Sequence, residues 1–158
     1  MKIKVGELTL DSFAPYGSYI FPNECDKKDS VINFYPDMLT GISEFSFTPS
    51  ISVLGFSKRD FVIDVTESHD HTEEIFGGYN VDVLFHVAAY NNATPNPDDF
   101  KVFRLPKGGF VRVKRKIWHH APFTATGERA TGIVILPPFT YTHDCFVVEL
   151  KEKISFEL

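Results

Sequence analysis

Cysteine is scarce in this chain. Cys25 and Cys145 are the only two among 158 residues, and no paired spacing joins them. A disulfide framework is therefore excluded, and reduced thiols are expected. Long apolar runs are also missing, since nothing near the start reads as a signal peptide and no stretch is long enough to span a bilayer. These absences predict a cytoplasmic protein without a membrane partner. Basic residues are outnumbered, 16 Lys and Arg against 21 Asp and Glu, for a formal charge of -5. Affinity for phosphate backbones comes from clustered Lys and Arg, and the one basic run, Arg112 to Lys116, is short, so no nucleic-acid partner is expected. Low-complexity tracts and internal repeats are absent too. That leaves one domain over 1–158, long enough to bury roughly two thirds of its unfolded surface.

What the chain has in quantity is aromatic and turn residues: sixteen Phe, six Tyr, ten Gly and ten Pro, with many β-branched positions between them. This composition suits short strands and turns, and predicts an all-β protein with one or two short helical turns. Lys2 to Leu10 alternates like an edge strand. Asp11 then caps a helical turn through Tyr16, where Gly17 stops it in a left-handed conformation. Residues 22 to 41 read as an exposed excursion around a short strand from Val31 to Tyr35. Strands are then expected at 42–48, 51–57, 60–66, 73–76, 81–89, 100–105, 109–115, 117–121, 130–136 and 145–150, with a last one near 153–157. Turn signals every eight to twelve residues point to a sandwich or barrel.

Two stretches carry candidate chemistry. In Gly109 to Thr124, GFVRVKRKIWHHAPFT, Val111 and Val113 alternate with Arg112 and Lys114 as on a half-buried strand. The strand runs into Trp118-His119-His120, and Pro122 ends it. A glycine followed by a short strand, a turn and a histidine resembles the second motif of cupins, and counting from Gly109 places that histidine at His120. The double-stranded β-helix, or jelly-roll barrel, of cupins also fits the length. Adjacent residues on a strand point opposite ways, so His120 is expected in the cavity and His119 outside it. The second stretch is Thr66 to Phe76, TESHDHTEEIF. On an extended strand His69 and His71 face one side, where they could share a metal. With Glu74 and His120 they would form a three-histidine, one-carboxylate set for a divalent first-row ion (Zn, Mn, Ni or Fe).

A sharper resemblance covers most of the chain. Glu67-Ser68-His69, Glu74-Ile75-Phe76, Lys101-Val102-Phe103, Ile117-Trp118-His119-His120-Ala121-Pro122, the late Asp144-Cys145 and the opening Phe13-Ala14-Pro15-Tyr16-Gly17 are similar to the ureidoglycolate lyase family of the cupin superfamily. Glu74 stands where that family usually has Gln, and His71 is an addition; together these changes make the pocket more acidic and more like a metal-binding cupin. The resemblance implies cleavage of ureidoglycolate to glyoxylate and urea, in purine catabolism and allantoin degradation, by a homodimer acting on a small carboxylate substrate. That reaction needs a base for the carbinol hydroxyl, a group for the carboxylate and an acid for the departing urea. With a metal, His69, His71 and His120 would hold it, Glu74 would complete it or act as base, and Lys101, Arg112 or Lys114 would meet the carboxylate, beside Trp118 and Phe103 as pocket walls. Without a metal, Glu67 or Glu74 would be the base and His120 the acid.

Bland readings stand beside these. Arg112, Lys114 and Lys116 alternate with apolar residues as a solvated strand face would, His86 and His143 read as structural, and Cys145 as a small buried residue. A metal-dependent cupin isomerase and a non-catalytic ligand-binding cupin are the alternatives to the lyase, because fold alone does not settle function.

Overall fold

The computed structural model describes residues 2–21, 39, 48–90 and 94–158. The expected strand at 31–35, that at 42–48 except for its last residue, and Cys25 lie outside these. The described strands are β1 (Lys2–Gly6), β2 (Gly17–Ile20), β3 (Ser50–Ser57), β4 (Val62–Ser68), β5 (Glu74–Gly77), β6 (Val83–Ala88), β7 (Lys101–Leu105), β8 (Phe110–Val113), β9 (Trp118–His119), β10 (Phe123–Thr124), β11 (Arg129–Leu136) and β12 (Phe146–Glu157). Two four-residue helices accompany them, α1 (Leu10–Phe13) and α2 (Thr140–His143). The all-β structure predicted from composition is observed, and its closed barrel is consistent with the cupin fold that the resemblance implies.

The strands form two sheets. In the first, β6, β7, β1, β12, β4 and β9 pair in succession and β9 returns to β6, so the sheet closes on itself, with β10 continuing beside β6. The second is the open sheet β2-β8-β5-β11-β3. Strand β6, Val83-Leu84-Phe85-His86-Val87-Ala88, is buried along its whole length because it has a core on each face. Val83, Phe85 and Val87 face the core shared with the open sheet, while Leu84 and Ala88 face the interior of the closed one. A strand buried on both sides needs a near-continuous apolar run, and only His86 interrupts it. In the first core Phe85 meets Phe13 and Phe76 edge-on, with ring centroids 5.6 and 5.5 Å apart, a favoured aromatic geometry.

Several local expectations are corrected. Strand β1 is not at an edge: Lys2 to Lys4 pair with β12 and Val5 and Gly6 with β7, both in parallel, so it bridges two strands. The helical turn begins earlier than Asp11, because Thr9 supplies the cap and forms a capping box with Ser12. Gly17 is glycine for space and not for a left-handed φ: a Cβ there would overlap the backbone carbonyl of Arg112 on the paired strand. The strand expected over 117–121 breaks after His119, and the two expected at 145–150 and 153–157 are one long strand with a register shift between Glu149 and Ile154.

Candidate active site

Three strand ends meet at the site. Strand β4 delivers Glu67, β9 sets His119 directly across from it, and β5 opens on Glu74. Between β4 and β5 the chain bends, and the bend carries His69. Ligand atoms of Glu67, His69, Glu74 and His119 all lie within 4.8 Å of one another, and the last three residues are buried.

Each imidazole is held from behind. His69 Nδ1 lies 2.6 Å from the Asp144 carbonyl and His119 Nδ1 2.8 Å from the Ile117 carbonyl. A carbonyl only accepts, so both Nδ1 atoms carry protons and both Nε2 atoms are turned toward the cluster. There they approach the same carboxylate oxygen, Glu74 Oε2, at 3.1 and 3.3 Å. Donors bound at 2.0–2.1 Å to one tetrahedral ion would stand about 3.3 Å apart, close to these two spacings, and the four residues could hold a metal ion. Fixing a histidine's tautomer through its remote nitrogen is also how metal-ligating imidazoles are oriented. Behind His119, His86 Nε2 donates to Thr66 Oγ1 at 3.2 Å, which donates to the His119 carbonyl at 3.1 Å. His86 is kept neutral chiefly by burial, and positive charge on the nearby His120, His119 or Arg59 acts the same way.

Without an ion the cluster is a charged one. Burial alone would raise the Glu74 carboxyl, but hydrogen bonds and charges from His119 and then His69 outweigh it and bring its pKa down to about 2. Burial alone would lower His119, yet Glu74 lifts it to about 9. A raised histidine stabilises the fold below its ordinary 6.5 and loses that contribution as pH rises through about 9; a depressed carboxylate contributes above its ordinary 4.5 and loses it as pH falls through about 2. In a chelator, the stability difference between the wild type and Glu74→Gln is therefore expected to be greatest between about pH 4.5 and 6.5 and to shrink on both sides. Urea unfolding midpoints across the pH range test this, and a pH-independent difference would refute it.

Beside the cluster lies a cavity of about 230 Å³, lined by Glu67, Glu74, His120 and Tyr141 among apolar residues that include Phe76 and Val134. The Tyr141 phenol is pushed up to about 12, first by burial and then by the Glu74 and Glu67 charges, so it stays protonated. His120 is lowered, chiefly by burial, and is neutral at pH 7. Cys145 donates its thiol to Glu67 at 3.4 Å and is raised to about 12, first by burial and then by Glu67, so it is a protonated donor and not a nucleophile.

Of the residues singled out in the sequence, Glu67, His69 and Glu74 come together in the cluster, and Glu67, Glu74 and His120 line the cavity. His71 does neither: β4 ends at Ser68, the alternation stops, and the exposed His71 lines an open groove of about 540 Å³ with Lys114, Arg115 and Lys116. His119, expected outside, takes the position assigned to His120, which lines the cavity without joining the cluster. The four predicted substrate contacts do not line the cavity. Lys101 is exposed on a separate groove, and Arg112 is bound to Glu73 and Ser18 at 3.2 and 3.0 Å. Trp118 stacks on Tyr90 at 5.5 Å with its indole in the second core, and Phe103 packs on Phe13 in the first. Lys114 donates to the Ala14 carbonyl at 2.6 Å. Tyr141 is one of the cavity residues that the sequence did not reveal, since nothing local to TYTH signals which elements the helix packs against.

A closed β-barrel that gathers imidazoles and carboxylates at its strand ends, beside a small cavity, is a cupin-type enzyme site. The family model for ureidoglycolate lyase matches residues 1–157, and the chain belongs to that family. It is an enzyme of the lyase type, and the isomerase and non-catalytic readings are not favoured. Comparison with curated proteins gives no match. Among the described residues no helix is long and apolar enough to cross a membrane.

Proposed function

We propose that the protein cleaves ureidoglycolate to glyoxylate and urea in the 230 Å³ cavity, with one divalent metal held by His69, Glu74, His119 and Glu67. The carrying observation is that two imidazoles with fixed tautomers converge on one carboxylate beside this cavity. Among the described residues no Lys or Arg lines the cavity, although the substrate is an anion. Bound there, the metal supplies the positive charge for the substrate's carboxylate and lowers the pKa of the carbinol hydroxyl.

The chain's own residues handle the protons. Neutral His120 takes the hydroxyl proton as the carbon–nitrogen bond breaks, and the imidazolium returns a proton to the departing urea nitrogen, so that glyoxylate and urea leave with no net proton change. Glu67, on the same wall, favours the imidazolium between these transfers. The protonated Tyr141 hydroxyl is a donor for a substrate oxygen. Assembly as a cytoplasmic homodimer is part of this proposal. Wild-type protein with ureidoglycolate is expected to release urea and glyoxylate in equal amounts; consumption of the substrate without free urea would overturn the reaction assigned.

A further inference from the structure

We infer that Asp144 is the positioning residue of His69, holding its imidazole in the orientation that metal binding requires. The inference rests on the metal reading above and extends it to a residue that touches neither ion nor substrate.

Asp144 is 1 % exposed, and each of its polar groups is engaged. Its backbone N–H donates to the Thr140 carbonyl at 2.8 Å, closing α2. Its own carbonyl accepts the His69 Nδ1 proton at 2.6 Å. Its carboxylate accepts from the backbone N–H of Asp70 at 2.9 Å, and from that of His71 at 3.3 and 3.1 Å. One residue therefore grips the side chain of His69 and the two peptide groups that follow it.

This grip answers a problem set by the chain itself. His69 lies just past the end of β4, where its carbonyl accepts from the Lys116 N–H at 2.7 Å but no strand is paired with it, whereas His119 is paired on both sides with Glu67 and Val87. A buried carboxylate without partners is costly, and here its negative charge is met by main-chain donors, the arrangement that holds a bend most firmly. The next residue, Cys145, donates to Glu67, so consecutive residues at the end of α2 secure two members of the cluster. Tyr141, on the same helix, lines the cavity, and the 140–145 segment thus ties the cavity wall to the cluster.

The test compares wild type, Asp144→Ala and Asp144→Asn, which keeps one acceptor oxygen. Two readouts are taken: Co²⁺ titration by absorption, and the ¹H–¹⁵N signal of the His69 Nδ1 proton in metal-free protein. The wild type is expected to show a slowly exchanging, downfield Nδ1 proton. Asp144→Ala is expected to lose it and to bind Co²⁺ about 10–100-fold more weakly, with Asp144→Asn recovering part of both. Unchanged Co²⁺ affinity and an unchanged His69 signal in both variants would overturn the inference. Should Asp144→Ala not fold, Asp144→Asn and the wild-type spectrum decide: a wild-type His69 without an Nδ1 proton refutes it outright. Failure of wild type to bind Co²⁺ with the His69 signal present would instead sink the metal reading alone.

Discussion

Replacing Glu74 with Gln is expected to lower kcat/KM for ureidoglycolate by about 10³-fold, the size typical of removing a group that acts directly on developing charge. The substitution keeps the shape and removes the charge. Glu74 Oε2 is the one atom that both Nε2 atoms approach, at 3.1 and 3.3 Å, so an amide there leaves either a metal without its central carboxylate or two imidazoles without their counter-charge. His119 owes its raised pKa first to Glu74 acting against burial, with Glu67 and the Ile117 carbonyl adding to it, so in the variant its pKa is expected to fall from about 9. Metal content should fall together with activity. The checks are steady-state kinetics, metal analysis and an NMR titration of His119. Activity within tenfold of wild type would remove Glu74 from the centre of the site.

His120→Ala is expected to act differently, lowering kcat by 10²–10⁴-fold, the usual contribution of a positioned acid–base group, while metal stays bound. His120 lies outside the four-residue cluster and lines the cavity after the strand has ended, so the variant leaves the ligand set intact. It belongs to neither hydrophobic core, and Tm should change by no more than about 4 °C, equivalent to about 1 kcal/mol for a chain of this size. Kinetics, metal analysis and thermal melting on the same preparation separate the two variants. Loss of metal in His120→Ala, with turnover lost only in proportion to it, would contradict the proton-transfer role.

The contrast between these two residues shows what the sequence made legible. The stretches Thr66 to Phe76 and Gly109 to Thr124 were readable as the site because glycine-led alternation, paired histidines and carboxylates sit close together in the chain. The barrel was readable for a similar reason: regular turn signals and abundant aromatic residues leave few other ways to bury such a chain. Which side chain points where was not. Parity put His71 beside His69 and fails at the bend after Ser68, while the spacing counted from Gly109 chose His120 for the cluster position that His119, the last residue of its strand, occupies. Long-range placement was hidden as well. Lys101 and Arg112 carry the right charge for a carboxylate, but their strands turn them to other surfaces, and Arg112 is bound by Glu73. Asp144 lies 75 residues beyond His69, and only the pairing of β12 with β4 brings them together.

The central claim is that His69, Glu74, His119 and Glu67 form a metal site that serves the reaction. Its most direct test is elemental analysis of untagged protein alongside urea release, for wild type, Glu74→Gln and His71→Ala. The account predicts one equivalent of divalent metal in wild type and in His71→Ala, both active, and neither metal nor turnover in Glu74→Gln. Loss of the metal in His71→Ala, or urea release at the wild-type rate from protein stripped of metal, would contradict it.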